Sequence, residues 1–391
     1  MGRIIGVHLD VDPCAGGEYQ WWLSMLGALS EINREGKHKV IIFADRNKHS
    51  EIAHRYNLEL VDFPKLGSKL QYAVNRLFEK RMPTEIYKKI CFLWFPKLKK
   101  IKNRNVDIWI TKTLKGVKKG LGVSCVSPIF DLMYLYLPEF PEVVEDIASR
   151  ERTTKDLCMR ADVLLADSII GKKQIVESFG RYRDDLAQRV KILPYIPADY
   201  IYKRTEAVGF VKPFEKYLVY PAQLWKHKNH INLLKAINML KEEGINVNIV
   251  FAGSEKNAGK DIWNYIEECD LICQVKILGY VTNEEIVSLY VNARAMIYPS
   301  FFGPTNIPPL EAMQLGCPSA ISDVYGMPDQ VGDAALLFDP KNVDEIKCCI
   351  KQLWEDDLLC DKLREMGYAR SKAYGKKEFK KNIEEIINGI D

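Results

Sequence analysis

Two loops carry the residues whose types and spacing could do chemistry. In PSFFGPTNIPPLEAMQLG (299–316) an apolar run ends at Ser300, an irregular stretch with Gly303, Pro304, Thr305 and Asn306 follows, and a helix is predicted from Pro308-Pro309 to about Gly316. Proline suits a helix's first turn because its missing N–H costs nothing there, and glycine suits the position just past the end. The N–H groups of Thr305, Asn306 and Ile307 are then expected to face a ligand at the positive end of the helix dipole, an anion site. Glu311 in the first turn reads either as a carboxylate favoured by that dipole or as a ligand group. The second loop, in YPAQLWKHKNHINLLKAI (220–237), sets Lys226, His227, Lys228, Asn229 and His230 between a predicted strand and a predicted helix. Open α/β sheets bind ligands at the carboxyl ends of their strands. Cations there, together with the helix start of the first loop, describe a diphosphate clamp; a solvated surface lysine is the plain alternative. A third loop, DVDPCAGGEYQ (10–20), sets Gly16 and Gly17 before a helix, as a tight turn would. Neither GxGxxG nor GxxxxGK[ST] occurs, which disfavours dinucleotide and ATP-loop readings.

Alternating strands and helices must position these loops. RIIGVHL (3–9) and HKVIIFA (38–44) flank a helical stretch at 20–32, and VDIWIT (106–111), VSCVSPIFD (123–131), DVLLADS (162–168) and KILPYIP (191–197) continue the series, with a helix at 141–160. YLVYPA (217–222), INVNIVFAG (245–253), QVKILGY (274–280), RAMIYPS (294–300) and PSAIS (318–322) form a second series. The pattern predicts an α/β chain with two Rossmann-like, doubly wound parallel sheets, at a length that suits two domains. The expected boundaries are 1–200, 201–373 and a C-terminal segment 374–391 packing back toward the N-terminal domain. That segment is an amphipathic helix with Phe379, Ile383, Ile386 and Ile387 at helical spacing.

Ten cysteines without a CxxC pair, several inside apolar runs, suggest a reducing compartment and no structural zinc. The start runs directly into a strand and no apolar stretch approaches the length of a membrane span, so a cytoplasmic protein is expected. Charge is uneven: residues 65–120 hold sixteen Lys and Arg against three Asp and Glu in a chain of net charge +4. The segment EIYKKICFLWFPKLKKIKNR (85–104) mixes these cations with apolar side chains. It reads as a peripheral contact with an anionic membrane surface or as an ordinary helix with a solvated face. Nucleic acid fits less well, because no recognisable nucleic-acid module accompanies the charge.

Over nearly its whole length, weakly in the N-terminal half and strongly from about 217 to 340, the sequence resembles the family 4 retaining glycosyltransferases, the group 1 enzymes of two-domain GT-B architecture that build lipopolysaccharide and capsule. The resemblance rests on LVYPAQLWKHKNHINLLKAI, on KILGYVTNEEIVSLYVNARAMIYPS (276–300) and on PSFFGPTNIPPLEAMQLGCPSAISDVYGMPDQVGDAALLFDP (299–340). It implies two domains facing across a cleft, and transfer of a hexose such as mannose from a UDP- or GDP-sugar to a glycan or lipid-linked acceptor. Retention and independence of metal are implied as well, since the departing phosphate can take the acceptor's proton. Carried over residue by residue, Lys228 is the phosphate lysine and Glu311 the carboxylate that holds the donor ribose. Asp131 is the candidate for holding sugar or acceptor. Gly16, Gly17, Gln223, Lys226, His227, Gly253, Tyr280, Val281, Gly303, Thr305, Asn306 and Ile307 complete the donor site. Three positions depart from the pattern. Gly303 stands where a first glutamate is usual, Gln223 replaces an arginine, and Phe130-Asp131 replaces a His-Asp pair. These departures keep two other classes in view: a non-catalytic nucleotide-sugar binder or partner subunit, and an epimerase of the same architecture.

Overall fold

The computed structural model describes residues 2–13, 16–63, 78, 81–114, 117–144 and 147–390. Cys14 and Ala15 of the third loop, and residues 65–77, 79–80 and 115–116 of the basic block, lie outside the described residues. By their contacts the residues fall into two units. The first holds Met1–Leu132, Ala148–Pro194 and Lys376–Asp391, and the second holds Met133–Ile147 and Tyr195–Gly375.

In the first unit, seven parallel strands form one sheet: β1 (Ile4–Leu9), β2 (Lys39–Ala44), β3 (Glu59–Asp62), β4 (Ile108–Ile110), β5 (Ser124–Pro128), β6 (Val163–Ala166) and β7 (Val190–Ile192). Their spatial order is β3-β2-β1-β4-β5-β6-β7. A parallel sheet is covered on both faces, so its strands read as unbroken apolar runs; Val40 to Ala44 of β2 are all buried. The helix Gly17–Arg34 covers part of it, burying Trp21, Trp22, Met25, Leu26, Leu29 and Ile32. Against this helix packs the C-terminal helix Lys376–Asn388, which buries Phe379, Ile383 and Ile387. Ion pairs of Lys37 with Glu384 at 3.0 Å and of Lys380 with Glu31 at 3.5 Å border the contact.

The second unit repeats the plan with β8 (Leu218–Tyr220), β9 (Ile249–Phe251), β10 (Val275–Ile277), β11 (Ala295–Tyr298), β12 (Ser319–Ser322) and β13 (Leu336–Phe338), again parallel. Their order is β10-β9-β8-β11-β12-β13. Two strands escape the sequence reading, β3 and β13, and both lie at sheet edges. The grouping differs from the expected span 1–200 at two places: the second unit takes Met133–Ile147, and it begins again at Tyr195. Met133–Ile147 groups with the second unit, where the Phe140 ring stacks on Phe301 at 5.7 Å and Glu142 bonds to His227 and Asn257. Among the described residues, no helix is long and apolar enough to cross a membrane.

Candidate functional site

The winding of each sheet reverses between two neighbouring strands, and the crevice at their carboxyl ends is where such sheets bind ligands. In the second unit the reversal falls between β8 and β11, which pair directly. The loops that follow these strands are 223–229 and 299–306, the two that carry the sequence candidates.

Hydrogen bonds stitch the loops together. The Phe301 N–H donates to the His227 carbonyl at 2.9 Å, and the buried Asn229 amide donates to the Pro299 carbonyl at 3.0 Å and the Pro340 carbonyl at 2.8 Å. Asn229 sits in the left-handed region at φ 59°, which turns the chain from the short helix Lys226–Lys228 into the helix His230–Glu242. The Tyr220 hydroxyl donates to the Lys228 carbonyl at 2.7 Å and so fixes that residue's backbone.

The Lys228 ammonium donates to the Tyr298 hydroxyl at 3.0 Å, and this hydroxyl donates to Asn306 Oδ1 at 2.9 Å. With its nitrogen 5.3 Å from the ring centroid but 3.0 Å from the hydroxyl, Lys228 lies beyond the ring's oxygen end and not over its face. Lys228 is half-buried and has no carboxylate partner among the described residues. Two residues earlier, Lys226 is exposed and pairs with Asp261 at 3.2 Å. Lys226 therefore spends its charge on Asp261. His227 is likewise engaged: Glu142 Oε1 accepts from its backbone N–H at 3.0 Å and lies 2.6 Å from its Nδ1, while Glu142 Oε2 accepts from Asn257 Nδ2 at 2.7 Å. Burial opposes the Glu142 charge, but these hydrogen bonds outweigh it and hold its pKa down to about 2. Beneath the loop His230 is fully buried, and burial first, then the charges of Lys228 and His227, push its pKa down to about 3.

At the head of the helix Ile307–Leu315 the expected row of free N–H groups is corrected. Asn306 gives its N–H to Gln330 Oε1 at 3.1 Å and accepts from Gln330 Nε2 at 2.6 Å. Thr305 is engaged as well. Pro308 and Pro309 have no N–H, so within the first turn the helix Ile307–Leu315 offers the Ile307 N–H at its head. Gly303 has φ 150°, and a Cβ there would meet Asn306 Nδ2 at 2.0 Å. The Asn306 amide thus fills the space a glutamate at 303 would need, and the polar chain from Lys228 ends on it. Gly316 closes the helix at φ 74°.

Glu311 is buried, 5% exposed, with Oε2 accepting from Tyr290 at 2.9 Å and Oε1 from Tyr200 at 3.2 Å. Burial raises its pKa, and the two tyrosine hydrogen bonds counter part of that rise. Gln223 accepts from the Trp225 indole at 2.9 Å. Gly253 is a close approach: a Cβ would lie 2.2 Å from the Ala222 carbonyl, so the end of β9 rests on the loop after β8. Tyr280 is 81% exposed beyond β10, and Val281 packs against the core.

The remaining candidates belong to the first unit. Gly16 caps the helix Gly17–Arg34 at φ 62°, ψ −126°, a conformation open to glycine. Past the end of β5, Asp131 accepts from Arg150 at 2.8 Å. Tyr298, Glu142, Tyr200, Tyr290 and Gln330 were not singled out in the sequence. Tyrosines in apolar runs read as core, and Glu142 is far from His227 along the chain.

Residues 205–370 match the family model described as glycosyl transferases group 1. The O-antigen chain mannosyltransferase B of Escherichia coli is 28% identical over 257 residues, 64% of this chain; the chain spans 65% of that relative, just under two thirds. The O-antigen chain mannosyltransferase RfbU of Salmonella typhimurium is 24% identical over 155 residues, 39% of this chain and 43% of its own. Among solved structures, Anabaena HepE in complex with UDP and glucose shares the fold over 100% of both chains, with a TM-score of 0.72 and 15% identity. Sucrose-phosphate synthase from Thermosynechococcus elongatus shares it over 99% of this chain and 98% of its own, with a TM-score of 0.72 and 16% identity.

Proposed function

We propose that this chain is a group 1 glycosyl transferase that transfers mannose from a nucleoside diphosphate to a hydroxyl of a glycan or lipid-linked acceptor in surface polysaccharide synthesis. The sugar is suggested by the two relatives, both named O-antigen mannosyltransferases, and the donor class by HepE, crystallised with UDP and glucose. Retention at the anomeric carbon and independence of metal are part of the same proposal.

One observation carries it: a half-buried ammonium at the switch point, held in place by Tyr298 and with no carboxylate partner among the described residues. A cation withdrawn from water without a counter-ion is costly, and a diphosphate supplies that counter-ion. As the bond from the anomeric carbon to the diphosphate breaks, negative charge grows on the leaving oxygen. A fixed ammonium stabilises that charge without reorganising, which is where much of the catalytic effect of such sites arises. The Ile307 N–H at the helix start adds a dipole of the same sign. Tyr298 couples Lys228 to Asn306, so the residue beside the missing carboxylate is placed with the same hydrogen bonds that place the cation. Asn306 then stands for the glutamate as the group near the transferred sugar.

Steady-state transfer with GDP-mannose and UDP-sugar donors tests the reading. Lys228→Ala is expected to lower turnover by about 10²-fold or more, the scale for removing a preorganised stabilising group. Unchanged turnover would overturn the assignment. Thermal shift against GDP and UDP identifies the base, since a ligand at about 100 times its Kd adds ~2.7 kcal/mol.

A further inference from the structure

The first unit carries a cleft that the transfer reaction does not use. It has a volume of about 600 Å³ and is lined by Lys88, Lys89 and Lys102, with Phe92, Leu121 and Val123 among its apolar walls. Asn105 and Val106, which lead into β4, and Gly120, Leu121 and Val123, which lead into β5, place it at the amino ends of these strands. Asp131 and Gly16 lie past the carboxyl ends of β5 and β1, at the other end of the sheet. The cleft is therefore apart from the crevice where this sheet type binds its substrates.

Its chemistry is amphiphilic. Ile101, Val106 and Gly120 are buried at its floor, while Lys89 and Lys102 are exposed at its rim and Lys88 is half-buried. Glu85, the carboxylate of the lining, is itself exposed and pairs with Lys88 at 3.0 Å. Lys89 has no ion pair among the described residues. On the helix Thr84–Trp94 that forms one wall, Ile86 is 51% and Leu93 79% exposed. Seven residues apart, they stand two turns from each other on one side of the helix, with Lys89 between them. Lysines over an apolar floor, beside exposed isoleucine and leucine, are the pattern of a helix lying in a membrane interface.

We propose that this cleft and the adjoining face of the helix Thr84–Trp94 dock on an anionic membrane, with the phosphate of a phospholipid headgroup between Lys88, Lys89 and Lys102. A soluble phosphate accounts for the lysines but leaves the apolar floor and the exposed Ile86 and Leu93 without a role. A nucleic acid asks for an open stacking ring, and Phe92 has the Lys102 ammonium 5.1 Å from its centroid. The proposal is independent of the transferase reading, since binding is measured without donor or turnover.

The test is flotation of the full chain with vesicles of phosphatidylcholine, with and without phosphatidylglycerol. Binding is expected with the anionic lipid alone. The triple variant Lys88→Ala, Lys89→Ala, Lys102→Ala is expected to weaken it by on the order of 100-fold, about fivefold per lysine near the surface. A control triple at exposed lysines elsewhere, Lys260→Ala, Lys362→Ala, Lys377→Ala, removes the same charge and should bind within a few-fold of wild type. Leu93→Glu, at a highly exposed side chain, should weaken vesicle binding while leaving the melting temperature unchanged, and serves if the lysine triple fails to fold. Equal loss in both triples, equal binding to neutral vesicles, or full binding by Leu93→Glu would overturn the proposal. So would stabilisation by inorganic phosphate alone that the lysine triple abolishes, or capture of a single-stranded oligonucleotide in place of vesicles.

Discussion

Lysines serve both the switch-point loops of the second unit and the cleft of the first, but the two regions hold them in opposite ways. Lys228 is half-buried, its ammonium fixed by Tyr298 and its carbonyl by Tyr220. Lys89 and Lys102 of the cleft stand in solvent on long stems, and Lys88 is bound to a carboxylate that is itself exposed. A charge that must meet a developing charge gains from being placed in advance. A charge that draws a protein to a surface need only be near it, and its effect adds over neighbours while salt screens it. The contrast predicts one residue with a large effect on rate in the first case and several with shared effects on affinity in the second. The comparison breaks if Lys228→Ala and the cleft triple both change turnover, or both change vesicle binding, to the same extent.

Inside the donor loop the next largest effect is expected from restoring the glutamate usual in the resembled family. Gly303→Glu would force an L residue to φ 150° and drive its Cβ to 2.0 Å from the Asn306 amide. Strained backbone of this kind costs on the order of 1–3 kcal/mol, before the displacement of Asn306 is counted. The variant is expected to melt lower and to transfer sugar more slowly, because the chain Lys228–Tyr298–Asn306 loses its end. Higher turnover in Gly303→Glu would show that Asn306 does not take the glutamate's place.

Glu142 sets how firmly the loop is held. Its carboxylate accepts from the His227 N–H and Asn257 and bonds to the His227 ring, and hydrogen bonds to a charged group are each worth about 1.5–3 kcal/mol. Glu142→Gln keeps the shape and loses the charge, and a loss of about 2 kcal/mol at neutral pH is expected in a denaturant titration. The sign with pH follows from the direction of the shift. The pKa falls from the ordinary 4.5 to about 2 on folding, so this stability is fully present above about 4.5 and is lost as pH falls toward 2. His230 acts in a neighbouring window: kept neutral by burial with a pKa near 3 against an ordinary 6.5, it makes the unfolded chain bind the extra proton. Stability therefore drops as pH falls from 6.5 to 3 as well. Glu142→Gln should flatten the acid limb below 4.5 and leave the fall between 6.5 and 4.5 in place; loss of both would refute the separate assignment.

The same particulars show what a sequence reveals. Interior strands such as KVIIFA are legible because both faces are buried, which leaves no polar positions to interrupt the run. β3, ELVD, is an edge strand whose polar ends break its apolar run, and β13, also at an edge, is an apolar run of three residues, too short to stand out as a strand. VSCVSPIFD was expected to run to Asp131, yet β5 stops at Pro128, and one further N–H, that of Ile129, bonds to β6 before the chain departs. The motifs single out Lys228 and Glu311 as candidates. Tyr298, Tyr200 and Tyr290 give no such signal, because a tyrosine in an apolar run has the same sequence appearance whether its hydroxyl is idle or bonds to a charged side chain. The loss of the Asn306 N–H to Gln330 was equally hidden, since a helix start announces donors but not the side chain that reaches them first.

The smallest expected effect sharpens the comparison most closely, because it concerns the same residue type in the same loop. Lys226 lies two residues before Lys228 and differs from it in being exposed and paired with Asp261, 3.2 Å away. Exposed ion pairs contribute about 0–1 kcal/mol, and a lysine already facing a carboxylate has little net charge to offer a diphosphate. Lys226→Ala is therefore expected to change turnover by less than about threefold and stability by less than about 1 kcal/mol. Asp261→Ala, which frees the Lys226 ammonium, should lower KM for the donor slightly if that ammonium can reach the site, with turnover unchanged. If instead Lys226→Ala matched the loss in Lys228→Ala, the loop would act through its summed charge, and the contrast between a placed cation and a pooled one would fail where it should be strongest.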